Sequence, residues 1–236
     1  MRALAGPFLS RDTFHHRIGE WKRLLTNFRL NPGSGKMSWQ VPEDRPFETI
    51  ESAGEYEPHG RKGEFRVIGR LSGAWDILAD PPQQNTPAKC FTLSGHASFK
   101  LSVWALGAEG SRLEVARWSS DIGDHASPGC HFHSQIDLDE KHGVFPKGLS
   151  VPRLPGLLLT PMDLLEYLIA ELFQAKWMAR ASKGSQEVRN WSNAQRPRLL
   201  RMLSWQHQAI RRAGGSPWTT LKRAKPHMTM LLEDVK

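Results

Sequence analysis

The spacing of apolar residues changes twice along this chain, and that change excludes both an all-helical and an all-β fold. Phe14, Ile18, Trp21, Leu24, Leu25 and Phe28 recur every three or four positions, which lays them along one face of a helix. Ser10 or Asp12 can cap this helix, and Asn31-Pro32-Gly33-Ser34-Gly35 ends it. From Glu64 to Leu138 the period falls to two, as in Phe99, Leu101, Val103 and Ala105 against Lys100, Ser102 and Trp104. Successive side chains of a strand point to opposite faces, so this stretch predicts half-buried strands. Short links such as Gly107–Gly110 permit hairpins but not parallel crossovers. The stretch from Lys36 to Lys62, rich in Pro, Gly and charge, reads as an extended connection.

After Pro146 the helical period returns. Thr160-Pro161-Met162-Asp163 supplies an N-cap, a proline at the first helical position and an acid in the first turn. Leu164, Leu165, Leu168, Ile169, Leu172, Phe173 and Trp177 follow as an apolar stripe. A second helix is expected over Gln195–Ala213, opening near Pro197 and stopping at Gly214-Gly215. The predicted fold is therefore α+β: an N-terminal helix, a central, mainly antiparallel β-meander and C-terminal amphipathic, basic helices. Residues 1–158 form the first part and residues 159–236 a helical, basic part packed on it.

Charge narrows the function classes. The net charge of +8 is carried by the end of the chain, because residues 176–236 hold 13 Lys/Arg against 3 Asp/Glu. Residues 1–175 hold 19 against 21. Such asymmetry predicts an anionic partner for the C-terminal part. Arg189, Arg196, Arg198, Arg201, Arg211, Arg212, Lys222 and Arg223 are the expected phosphate-binding residues, interleaved with tryptophans that can stack on unpaired bases. The densest apolar stretch, Leu154 to Phe173, is broken by two prolines and three acids, so no membrane span is expected. The first residues lack the apolar run of a signal peptide. With only Cys90 and Cys130 available, a cytoplasmic location with reduced thiols is expected.

Chemistry-bearing residues cluster between Trp118 and Gln135. In a strand over Cys130–Leu138, His131, His133, Gln135 and Asp137 share one face, while Cys130, Phe132, Ile136 and Leu138 share the other. Two imidazoles two residues apart can hold a zinc or iron ion together with a carboxylate. They can equally act as acid and base on a phosphodiester. Asp121 and Asp124 precede them in the chain, and His131, His133, Asp121 and Asp124 are the candidate catalytic residues. The leading expectation is a nucleic-acid-associated protein, either a nuclease or a component of a nucleoprotein assembly. Two alternatives stand beside it. One is a metal-dependent enzyme built on the His131/His133 strand. The other is a protein-interaction module centred on Cys130: an N-terminal helix, a meander, a cysteine after Ser127-Pro128-Gly129 and an amphipathic helix resemble, in order, the elements of ubiquitin-conjugating enzymes. That resemblance implies a thiol that carries a protein modifier. The His-Pro-Asn signature of those enzymes is absent before Cys130.

Overall fold

A computed structural model of the chain describes residues 1–31, 36–53, 66–79, 91–122, 132–136, 154–156, 160–217 and 219–220. Four α-helices are seen: α1 (Arg2–Ala5), α2 (Ile18–Leu30), α3 (Pro161–Ala181) and α4 (Gln186–Arg211). Seven strands form one sheet: β1 (Lys36–Val41), β2 (Phe47–Glu48), β3 (Val67–Ala79), β4 (Phe91–Leu106), β5 (Arg112–Ile122), β6 (Phe132–Ile136) and β7 (Leu154–Pro155). The order is β1-β3-β4-β5-β6-β7, with β2 on the same edge of β3 as β1, and every pairing is antiparallel. The fold is α+β, with the meander between an N-terminal helix and C-terminal helices.

Register decides which side chains meet the helices. Leu71 lies opposite Leu101, which lies opposite Trp118. Trp75, Ala97 and Ile122 form a second row, continued by Phe132. These rows face the helical layer, where Trp118 meets Tyr167 of α3 and Phe132 meets Trp205 of α4 edge-on. At the other end of the sheet Trp21 of α2 stacks on Trp39 of β1, with centroids 3.7 Å apart. Buried residues from the N-terminal region, from strands β1 to β6, from α3 and from Met202 of α4 form one apolar cluster. Close approach of α3 to the sheet depends on Gly69, where a Cβ would stand 2.7 Å from Leu172 Cδ1 and 2.8 Å from Leu168 Cγ.

Local chemistry sets the helix ends. Thr160 Oγ1 accepts from Asp163 N, and Asp163 Oδ2 accepts from Thr160 N at 2.7 Å. This is the reciprocal capping that the Thr-Pro-Met-Asp sequence predicts. The helix breaks once, at Gln174 (φ 24°, ψ −98°). Two expectations need correction. Residues 36–62 are not only a connection: Met37, Trp39 and Val41 alternate inward as β1, a period hidden by the Pro and charge around them. And α4 begins at Gln186, capped by Ser185, with Pro197 inside it. An internal proline forfeits one backbone hydrogen bond, but Val188 and Trp191 pack on the core and hold the preceding turns helical.

The α3–α4 contact contains a half-buried acid, Glu166, which accepts from Trp191 Nε1. Desolvation outweighs that hydrogen bond and raises its carboxyl above the usual carboxylate range. A folded-state pKa above the unfolded one means that stability falls as pH rises through the interval between them. Glu166→Gln keeps an acceptor for Trp191 and removes the ionisation. Its thermal midpoint is expected to exceed that of the parent near neutral pH, and the two should converge below the ordinary carboxylate range. A pH-independent difference would contradict this.

Candidate functional site

The helices cover one face of the sheet, so the alternate residues present a second, polar face. Across the strands this face reads Gln40, Ala74, Ser98, Asp121 and His133, each opposite the next. The neighbouring row reads Ser72, Lys100, Ser119 and Gln135. Lys100 Nζ pairs with Glu43 at 2.7 Å beside a shallow cavity of about 350 Å³ floored by Ala74 and Ser98. Lys100 and Glu43 were not among the candidate residues; the signal for Lys100 was present in the period-two alternation of β4.

Asp121 and His133 are thus cross-strand neighbours, as a shared site requires. Ser119 Oγ donates to Asp121 Oδ2 at 2.5 Å, and His133 Nε2 lies 3.9 Å from the same oxygen. The His133 side chain is 4% exposed, and it does not line the cavity beside Lys100. The hydroxyl donates to the carboxylate rather than to the imidazole, opposite to the order of a nucleophile relay. Ser119 and Asp121 both belong to β5, so this hydrogen bond runs within one strand, with His133 of β6 facing it. Phe132 and Ile136 lie on the helix side and His133 and Gln135 on the polar side, as the pleat requires. His131, Asp124, His125 and Cys130 lie outside the described residues, as does Asp137. Among the described residues no three His, Cys, Asp or Glu side chains gather as a metal site.

The basic helix is the other candidate. Arg189, Arg196 and Arg211 of α4 and Arg212 at its C-cap are exposed, and Arg201 is half-buried on its flank. At 3.6 residues per turn Arg189, Arg196, His207 and Arg211 fall within roughly 60° of one another on the outer face. With a rise of 1.5 Å per residue they span about 33 Å of helix. Glu187 is the sole acid in α4. Arg198 must be withdrawn from the phosphate-binding set. It points inward at 4% exposure and pairs with Asp163, the capping residue of α3, while also donating to Gln195 Oε1 at 2.7 Å. Lys222 and Arg223 lie outside the described residues. The outer face also carries Leu200, Leu203 and Ile210, the first 58% exposed.

Among the described residues no helix is long and apolar enough to cross a membrane. Compared with protein-family models, curated proteins and solved structures, the chain matches none.

Proposed function

We propose that this protein associates with nucleic acid by laying the outer face of α4 along a sugar-phosphate backbone. One observation carries the reading: three exposed arginines, Arg189, Arg196 and Arg211, line one face of a 26-residue helix. Arginine forks onto phosphate oxygens in a planar, bidentate manner and stays charged at any physiological pH. A polyanion whose charges repeat every few ångströms can engage such a track along its whole length. The proposed role is binding; of the candidate catalytic residues only Asp121 and His133 are described, and His133 is buried.

Fluorescence anisotropy with labelled single- and double-stranded RNA and DNA tests this. Arg196→Glu/Arg211→Glu is expected to weaken binding at least about tenfold, or 1.4 kcal/mol, with an unchanged thermal midpoint. Undiminished binding contradicts the proposal. A second reading is favoured by Leu200, Leu203 and Ile210 on the same face: an acidic amphipathic helix of a protein partner would fit apolar residues flanked by arginines. Nucleic acid binding should survive Leu200→Ser/Leu203→Ser. Loss of oligonucleotide binding in that variant, or none in the parent, turns the assignment to the protein partner.

A further inference from the structure

A second cavity, of about 340 Å³, lies where the N-terminal segment, the residues after β2 and the last turns of α3 meet. Its floor is apolar. Phe8 and Phe173 touch there with centroids 5.1 Å apart, and Ile50 stands at the edge with 42% of its surface exposed. Its rim is cationic: Lys176 and Arg180 stand one turn apart on α3, and Lys183, just beyond the end of that helix, lines the cavity with them. The break at Gln174 separates the floor residue Phe173 from this cationic turn.

The rim is partly fixed in advance. Arg180 donates from Nε to Leu4 O at 2.7 Å and from Nη2 to Ala3 O at 2.9 Å. Those bonds commit two of its five donors and hold the guanidinium plane in place. One acid, Glu51, also lines the cavity, but both of its oxygens accept from Arg66. That pairing offsets its charge, so the rim is net positive. Ligand sites of this size combine an apolar lining with a few polar groups that fix orientation.

We infer that this cavity binds a phosphate monoester carried on an apolar or aromatic body, with the dianion on Lys176, Arg180 and Lys183 and the body on Phe8, Ile50 and Phe173. A phosphate supplies two charges and three acceptor oxygens for three cations, while the aromatic floor rewards a flat body over a bare ion. The site is separate from the outer face of α4 and does not depend on nucleic acid binding there.

Calorimetric titration of the full chain with phenyl phosphate, inorganic phosphate and phenol tests the assignment. Phenyl phosphate is expected to bind with one-to-one stoichiometry, at least about tenfold tighter than either fragment. Lys176→Gln/Lys183→Gln should weaken it by about tenfold or more. Ala179→Trp, an exposed change that fills the cavity, should abolish it without lowering the thermal midpoint. The Arg196→Glu/Arg211→Glu variant should bind phenyl phosphate as the parent does. Displacement by adenosine 5′-monophosphate alone marks a free small molecule as the natural source. Displacement by a 5′-phosphorylated oligonucleotide as well marks a strand end. No saturable binding, equal affinity for phosphate and phenyl phosphate, insensitivity to Ala179→Trp, or displacement by neither nucleotide would overturn the inference.

Discussion

Replacing Arg198 by methionine is expected to destabilise the fold by about 3–5 kcal/mol while leaving nucleic acid affinity intact wherever the variant stays folded. Arg198 looks like one more cation in a basic helix. In the structure it is buried against Asp163, whose carboxylate also closes the N-terminal cap of α3. Burial pushes the Asp163 carboxyl up, and Arg198, foremost among the opposing groups, pulls it down. Removing the arginine leaves that desolvation uncompensated, which is why loss of one partner costs more than the pair itself contributes. Urea unfolding monitored by tryptophan fluorescence measures the loss. A change under about 1 kcal/mol, or a tenfold drop in oligonucleotide affinity at full folding, would return Arg198 to the phosphate-binding set.

The second large effect is expected at a glycine. Gly73 of β3 has φ +148°, and a Cβ there would stand 2.3 Å from the backbone oxygen of Ser98 and 2.6 Å from Phe99 Cδ1. A backbone oxygen paired in the sheet cannot swing aside, so Gly73→Ala combines conformational strain with overpacking. Each is worth about 1–3 kcal/mol, and a loss of about 3 kcal/mol or more is predicted. Gly69→Ala supplies the contrast, because its Cβ would meet leucine side chains rather than backbone. It should cost less than Gly73→Ala. Equal losses, or a tolerated Gly73→Ala, would contradict the register of β3 against β4.

The legibility of this fold varied by residue. Thr160, Pro161 and Asp163 announced the start of α3 because each satisfies a different demand of a helix terminus, and all three act within four residues. The strand Phe91–Leu106 and its turn were equally plain, since alternation and a glycine-bounded link are local signals. The pairing of Asp121 with His133 was not foreseen: Asp121 was read only as preceding the histidines, whereas it belongs to β5, and the register that makes the two neighbours is set by residues on both strands. β1 was missed, since Met37, Trp39 and Val41 are too few to override the composition around them. Arg198 was misassigned because a formal charge says nothing of its direction; its inward path depends on Asp163, 35 residues earlier. The cationic cavity was invisible for the same reason. Its floor joins Phe8 to Phe173, and no spacing rule connects residues so far apart.

The outer face of α4 is the proposed phosphate-binding surface, and the salt dependence of binding tests it most directly. Each phosphate neutralised by a cation releases counterions, so the affinity for duplex DNA falls with salt by about 0.9 logarithmic units per contact. Measured by anisotropy across a salt series, Arg196→Gln/Arg211→Gln is predicted to reduce the slope by about 1.8 relative to the parent. An identical slope in the two proteins, or a parent affinity that does not change with salt, would contradict it.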